Sequence, residues 1–165
     1  MKPKHLQILA ISGSLRANSS TTAFLRAAAG LAPVTMRITL FEGLGNLPHF
    51  TPDLDSAYPP EPVSEFRNKL MQADGVVICT PEYAFGMPGV LKNAFDWIVS
   101  SGEFLNKPVA TISASPSAMG GDKAHASLVL TLTALAANIT KGGNLVVPFI
   151  GKKLDDKGNI SDPST

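Results

Sequence analysis

Leu6-Gln7-Ile8-Leu9-Ala10-Ile11-Ser12-Gly13-Ser14-Leu15-Arg16-Ala17-Asn18-Ser19-Ser20-Thr21-Thr22 is the stretch whose reading decides the fold. Its first six residues are apolar enough for a buried strand, and Gly13 lets the chain turn sharply. Ser19 or Ser20 can cap the alanine-rich helical pattern that follows. The free N–H groups and positive dipole end of such a helix attract an anion. Arg16 adds a forked cation in the same loop. The serines alone fit an ordinary capped turn equally well; several hydroxyls together with one arginine favour a phosphate.

Outward from this unit, apolar runs recur at Met36 to Phe41, Val76 to Cys79, Val109 to Ile112 and Leu145 to Val147, with helical patterns between them. The alternation predicts a parallel sheet of five strands with helices on both faces. In the first helix Phe24, Leu25, Ala28 and Leu31 share a face, and Gly30 reads as its terminator. The second follows Pro62, with Val63, Phe66 and Leu70 inward and Glu65, Arg67 and Lys69 in water. Pro88 opens the third, where Leu91, Ala94, Phe95 and Ile98 oppose Lys92, Asn93 and Asp96. Asp122 to Asn138 alternates like a strand, but its length and alanines favour a helix. Apolar nearly all round, that helix needs a second cover, most simply another copy of the chain.

The 165 residues read as one domain, 1–165, able to bury a single core. A formal charge of +1 without a basic cluster argues against nucleic acid and anionic membrane as partners. The N-terminal stretch with Lys2, Lys4 and His5 runs into a glycine turn and lacks a signal-peptide cleavage pattern. No uncharged stretch suits a bilayer span, and Cys79 alone can form no internal disulfide. These features suit a soluble protein of the reducing cytoplasm. The proline-rich connection from Glu42 to Glu61 reads as a stiff surface loop or as a functional rim. Lys152 to Asn159 reads as a hairpin-like stretch, and Ser161, Asp162 and Pro163 as a helix start. No fifth helix follows in these residues, so part of one sheet face is expected to lie open or under a partner.

In a doubly wound sheet of order 2-1-3-4-5, the ligand crevice opens where the winding reverses, between the first and third strands. Three loops then matter: the serine–arginine loop, Thr80 to Met87, and Ser113 to Gly121. Pro81-Glu82-Tyr83-Ala84-Phe85-Gly86 offers amides for the edge of a flat heteroaromatic ring and aromatic side chains for its face. Tyr83 and Phe85 as plugs at the end of the core are the competing reading. Ser115, Gly120 and Gly121 bring a hydroxyl and bare backbone. Neither Gly-x-Gly-x-x-Gly nor Gly-x-x-x-x-Gly-Lys-Ser/Thr occurs. Cys79 reads as buried and inert, and His5, His49 and His125 as structural or solvated. With no nucleophile or acid–base pair evident, the chemistry is expected to come from a cofactor.

Gly13-Ser14-Leu15-Arg16 with Ser19, Leu47-Pro48, Pro81-Glu82-Tyr83, the run from Pro88 to Trp97, Ser113 to Pro116 and Gly120-Gly121 together resemble the NADPH-dependent FMN reductase family. The resemblance extends to about Pro148. It implies a flavodoxin-like fold, FMN as cofactor, NADPH or NADH as co-substrate, a homodimer or homotetramer, and ping-pong hydride transfer. The acceptor would be a quinone, free flavin, azo compound or metal ion. It assigns Ser14, Arg16, Ser19, Ser20 and Thr21 to the FMN phosphate. Pro81, Glu82, Tyr83, Ala84, Phe85 and Gly86 fall along the ring, with Ser115, Gly120 and Gly121 at its other edge; no side chain acts as nucleophile. Thr21 and Ala84 stand where the family usually has asparagine, and Asp122-Lys123 replaces its arginine. A flavodoxin-like electron carrier or a non-catalytic flavin-binding protein is the alternative; near-neutral charge favours the enzyme over a carrier, because carriers are expected to be acidic.

Overall fold

The computed structural model describes residues 5–155 and 157–162. Strands β1 (Leu6–Ser12), β2 (Met36–Phe41), β3 (Gly75–Thr80), β4 (Pro108–Ala114) and β5 (Asn138–Val147) alternate with helices α1 (Ser20–Gly30), α2 (Glu61–Gln72), α3 (Gly89–Asp96) and α4 (Asp122–Ala134). All the strand pairs are parallel, in the order β2-β1-β3-β4-β5. Place in the sheet explains each strand's composition. The inner strands β1, β3 and β4 are nearly continuously buried toward their carboxyl ends, whereas β2 at one edge alternates and β5 at the other is mostly exposed.

Side-chain alternation splits the core in two. Leu9, Ile11, Val76, Ile78 and Val109 face α2, α3 and α4, where they meet Phe66, Leu91, Trp97 and Leu128. Ala10, Cys79, Ile112 and Ala114 face α1, with Phe24 and Leu25. Each wholly buried Leu or Phe contributes roughly 1.5–3 kcal/mol relative to exposure. Burial also raises the Cys79 thiol far above its ordinary range, so it is inert, as its apolar neighbours suggested. On the α1 face, Leu154, Ile160 and Ile150 from the C-terminal stretch add cover. That stretch is hairpin-like, with Leu154 paired to Ile160, and it closes part of the face expected to be open.

Several local expectations need correction. Helix α1 ends at Gly30, as read from the sequence, but its C-cap Leu31 keeps ordinary right-handed geometry, so the glycine's conformational freedom is not used there. Leu31, beyond the last turn, is exposed because the chain there leaves the sheet. Asn138 belongs to β5 rather than to the fourth helix. The β5 strand starts early because Ile139 pairs with Val109 and Asn144 with Thr111, so Thr140–Gly143 bulge outward and hide the apolar pattern. Ser161 and Asp162 are not helical; Pro163, like Lys2 and Lys4, lies outside the described residues. Among the described residues, no helix is long and apolar enough to cross a membrane.

The connection from Glu42 to Glu61 is fastened along its length. Pro48 O accepts from Trp97 Nε1 at 2.8 Å and from Asn93 Nδ2 at 2.9 Å, while Asn93 Oδ1 accepts from Phe50 N at 2.8 Å. The Phe50 and Trp97 rings meet edge to face, 5.1 Å apart. Asn93 is thus a strap and not a wet surface residue. Arg67 is also drawn in from water: its guanidinium bonds Trp97 O and reaches Asp55 Oδ1 at 2.8 Å, both side chains being 12% exposed. Hydrogen bonds from Arg67 and then Ser100 hold the Asp55 carboxyl below its usual range. A carboxylate lowered by folding contributes its full stability above about pH 4 and loses it as pH falls through the lowered value. Asp55→Asn is therefore expected to melt at a lower temperature than wild type at pH 7. The gap should narrow by pH 3, as read by thermal melts at the two pH values.

Candidate functional site

The loops after β1, β3 and β4 meet at the carboxyl edge of the sheet. Gly13 N donates to Cys79 O at 2.8 Å, which carries the β1–β3 ladder into the loops. A Cβ on Gly13 would lie 3.1 Å from both Thr80 Oγ1 and Leu91 Cδ2 and 3.4 Å from Pro81 Cδ, so a side chain there would push these neighbours back by a few tenths of an ångström.

Hydroxyls then shape the first loop. Ser19 is the N-cap of α1, its Oγ accepting from Thr22 N at 3.3 Å. Thr21 Oγ1 lies 2.7 Å from Ser19 Oγ and 3.0 Å from Ser12 Oγ, and Thr22 Oγ1 donates to Ser12 Oγ at 2.8 Å. Ser14 N–H also points to Ser12 Oγ, at 3.4 Å. Ser12 is thus a hub that sequence reasoning missed; its adjacency to the glycine turn was the available signal. The first intrahelical bond runs from Ala23 N to Ser19 O, so the Ser20 and Thr21 amides come before the helical ladder and sit at its positive end.

Ser14, Arg16, Ser19, Ser20 and Thr21 line one small cavity together with Pro81, Glu82, Tyr83 and Ser115. Ala114 and Pro116, from the loop singled out after the fourth strand, and Ile150, which lay outside the three loops, complete it. Its volume of about 90 Å³ is small beside the ~300–1,000 Å³ of a whole small-molecule site, so it suits one end of a ligand. An open apolar crevice of about 550 Å³ adjoins it, sharing Arg16 and Tyr83 and adding Gly13, Leu15, Pro88, Gly89, Val90 and His49. His49, read from sequence as structural or solvated, stands at this rim. His125 is instead buried in part, with Nε2 3.0 Å from Thr111 Oγ1, and burial lowers its pKa.

Ala84, Phe85 and Gly86 stand apart from the small cavity. Tyr83 and Gly86 exchange N–H···O bonds of 3.0 Å, which closes a two-residue turn at Ala84-Phe85. Those two amides are spent within the loop. Ala84 (φ 48°) and Phe85 (φ 60°) are both left-handed, a conformation that favours asparagine or glycine. The asparagine usual in the family at Ala84 therefore has a backbone reason as well as a polar one. Tyr83 is 48% and Phe85 81% exposed, which overturns the reading of them as core plugs.

Gly120 and Gly121 are buried and do not line the cavity; they shape its wall. A Cβ on Gly120 would come 2.7 Å from Val146 Cγ1 and 2.9 Å from Pro148 N. One on Gly121 would touch Glu82 Cβ at 3.4 Å, Ser113 Cβ at 3.5 Å and Ser115 Cβ at 3.7 Å. Both have positive φ, at 62° and 82°. Ser113 Oγ, wholly buried at this junction, has no hydrogen-bond partner among the described residues.

A doubly wound sheet with a hydroxyl- and arginine-bearing loop at its switch point is an arrangement that α/β proteins use for nucleotides. Residues 6–152 match the family described as NADPH-dependent FMN reductase. An NAD(P)H-dependent FMN reductase of Pseudomonas aeruginosa is 34% identical over 159 residues, covering 95% of this chain and 85% of that protein. A 2-hydroxy-1,4-benzoquinone reductase of a Burkholderia species is 34% identical over 163 residues, covering 97% and 88%. The flavoenzyme NAD(P)H:(acceptor) oxidoreductase FerB of Paracoccus denitrificans superposes with a TM-score of 0.85 at 27% identity, covering 96% of this chain and 88% of that one. The chain belongs to the NADPH-dependent FMN reductase family: it is an oxidoreductase, flavodoxin-like in fold, with FMN as cofactor.

The residues present fit that cofactor. Hydroxyls, a guanidinium and a helix N-terminus gather around a cavity of phosphate size, and an apolar crevice adjoins it. Replacing Ala84 with asparagine should relieve left-handed strain and raise stability by about 1 kcal/mol. The measurement is urea unfolding of wild type and Ala84→Asn, with a higher midpoint expected for the variant.

Proposed function

We propose that the chain transfers two electrons from NAD(P)H to a quinone through FMN bound at the switch-point crevice, by a ping-pong sequence. The observation that carries this reading is the joining of a small polar cavity to an open apolar crevice through Arg16 and Tyr83. Arg16 and the hydroxyls of Ser14, Ser19 and Ser20 hold the phosphate, while Thr21, engaged with Ser12 and Ser19, keeps the loop in shape. The Pro81–Tyr83 backbone and Ser115 flank the ring, and Leu15, Val90 and His49 border the space from which substrates approach. When bound, FMN supplies reversible two-electron chemistry. In balance, NAD(P)H gives up a hydride, and the quinone takes two electrons and two protons, one of them from solvent, to become a hydroquinone.

Quinone is the acceptor best supported, because the Burkholderia relative is named for a benzoquinone and the crevice is apolar and open to a flat ring. A single copy is not the working form in this reading. Exposed Val99 and Leu130 flank an apolar groove between α3 and α4, with Phe95 and Leu135, and a second copy would cover it. The same reading puts the protein in the cytoplasm, without nucleic-acid or membrane partners.

Purified protein should be yellow, lose that colour with NADPH in the absence of oxygen, and regain it on addition of benzoquinone. Arg16→Ala should weaken FMN binding about 10- to 150-fold, the equivalent of roughly 1.5–3 kcal/mol for a charge-assisted contact. Unchanged FMN affinity in fluorescence titration would remove Arg16 from the phosphate site. Sedimentation at micromolar concentration should give a dimer or tetramer, and Leu130→Glu should shift it toward monomer.

A further inference from the structure

Helix α4 begins without a cap of its own. Its N-cap, Gly121, has no side chain to accept a hydrogen bond, and its left-handed φ of 82° suits few other residues. The missing acceptor comes from 42 positions earlier in the chain: Glu82 Oε2 accepts from Ala124 N at 2.9 Å. A carboxylate at a helix N-terminus also meets the positive end of the dipole, so its negative charge is compensated there. The bond crosses from the loop after β3 to the first turn of α4, the helix that follows the β4 loop. Both loops line the small cavity, through Pro81, Glu82 and Tyr83 on one side and Ser115 on the other. At the same junction Gly121 lies beside Glu82, Ser113 and Ser115, whose Cβ atoms a side chain there would meet at ordinary contact distance.

We infer that Glu82 is a positioning residue: its carboxylate straps the Pro81–Tyr83 loop to the first turn of α4, fixing the width of the cleft between the β3 and β4 loops. This rests on the reading of that cleft as the flavin site. In this arrangement the Glu82 side chain acts on the helix, and its backbone on the ligand. Its charge, spent on α4, is kept from opposing the anion held near Arg16.

The test uses the full chain loaded with FMN and three substitutions. Glu82→Gln keeps an acceptor oxygen at the same reach, Glu82→Asp keeps the charge but is one methylene short, and Glu82→Ala has neither. Amide exchange at Ala124 should quicken at least tenfold in Glu82→Ala and Glu82→Asp. In both, FMN affinity should fall about tenfold and the visible absorption bands of the bound flavin should shift. Glu82→Gln should restore all three readouts to within about threefold of wild type. Should Glu82→Ala fail to fold, Glu82→Asp carries the same comparison. A Glu82→Gln variant as impaired as Glu82→Asp would overturn the strap, since a neutral acceptor at the same reach would then fail to hold the loop. So would lower melting temperature with unchanged flavin affinity and spectrum, the mark of a cap that only stabilises. Failure of the strap is separable from failure of the site: Arg16→Ala losing FMN while Glu82→Asp retains it rejects only the former, whereas both retaining it rejects the site itself.

Discussion

The hydrogen bond from Gly13 N to Cys79 O is the contact on which the rest of the site depends. Parallel pairing of β1 with β3 brings two segments more than sixty residues apart to the same edge, and this bond continues the pairing past the last strand residue. The turn after β1 must then pass close beside Thr80, Pro81 and Leu91, where a side chain on Gly13 would be in tight contact. Phosphate-directed hydroxyls and ring-directed backbone become neighbours by that constraint. Because the right-handed crossover puts α1 and α3 on opposite faces of the sheet, each loop reaches the crevice from its own side.

Around this core, polar side chains act as fasteners more than as surface. Asn93 and Trp97 are bonded to the carbonyl of Pro48, and Arg67 gathers Asp55 and the Trp97 carbonyl. A connection of nearly twenty residues, rich in proline, is thereby held rigid beside His49, which stands at the crevice rim. Buried polar atoms are costly unless paired, so these bonds fix one arrangement of the loop against many. The Leu47-Pro48 and Asn93-to-Trp97 motifs, far apart in sequence, are two halves of one joint. Left-handed backbone at non-glycine residues lies elsewhere, singly at Asn106, Ala136 and Phe149 and as a consecutive pair in the Ala84-Phe85 turn, where Phe85 is held out in water.

Much of the fold was legible in the residues. The apolar runs located all five strands because three of them are buried on both faces, and Pro62 and Pro88 marked helix starts through their fixed φ. The first half of β5 was not legible, since an edge strand with a bulge needs no apolar alternation. Arg67 and Asn93 were misread as wet for a related reason. Helical periodicity reports which side faces the sheet, but it is silent about a loop folded over the other side. Ser12 escaped notice as a hub because one hydroxyl in an apolar strand carries no pattern.

The sequence by itself determined the βα alternation, the capped serine loop with its arginine, and the family, because these depend on local spacing and on residues close along the chain. Tertiary structure alone decided that Thr21 faces inward, that Tyr83 and Phe85 face water, and that Glu82 meets α4. Direction in a loop is set by which distant hydrogen-bond partner lies within about 3 Å, and only the packed sheet brings such partners together.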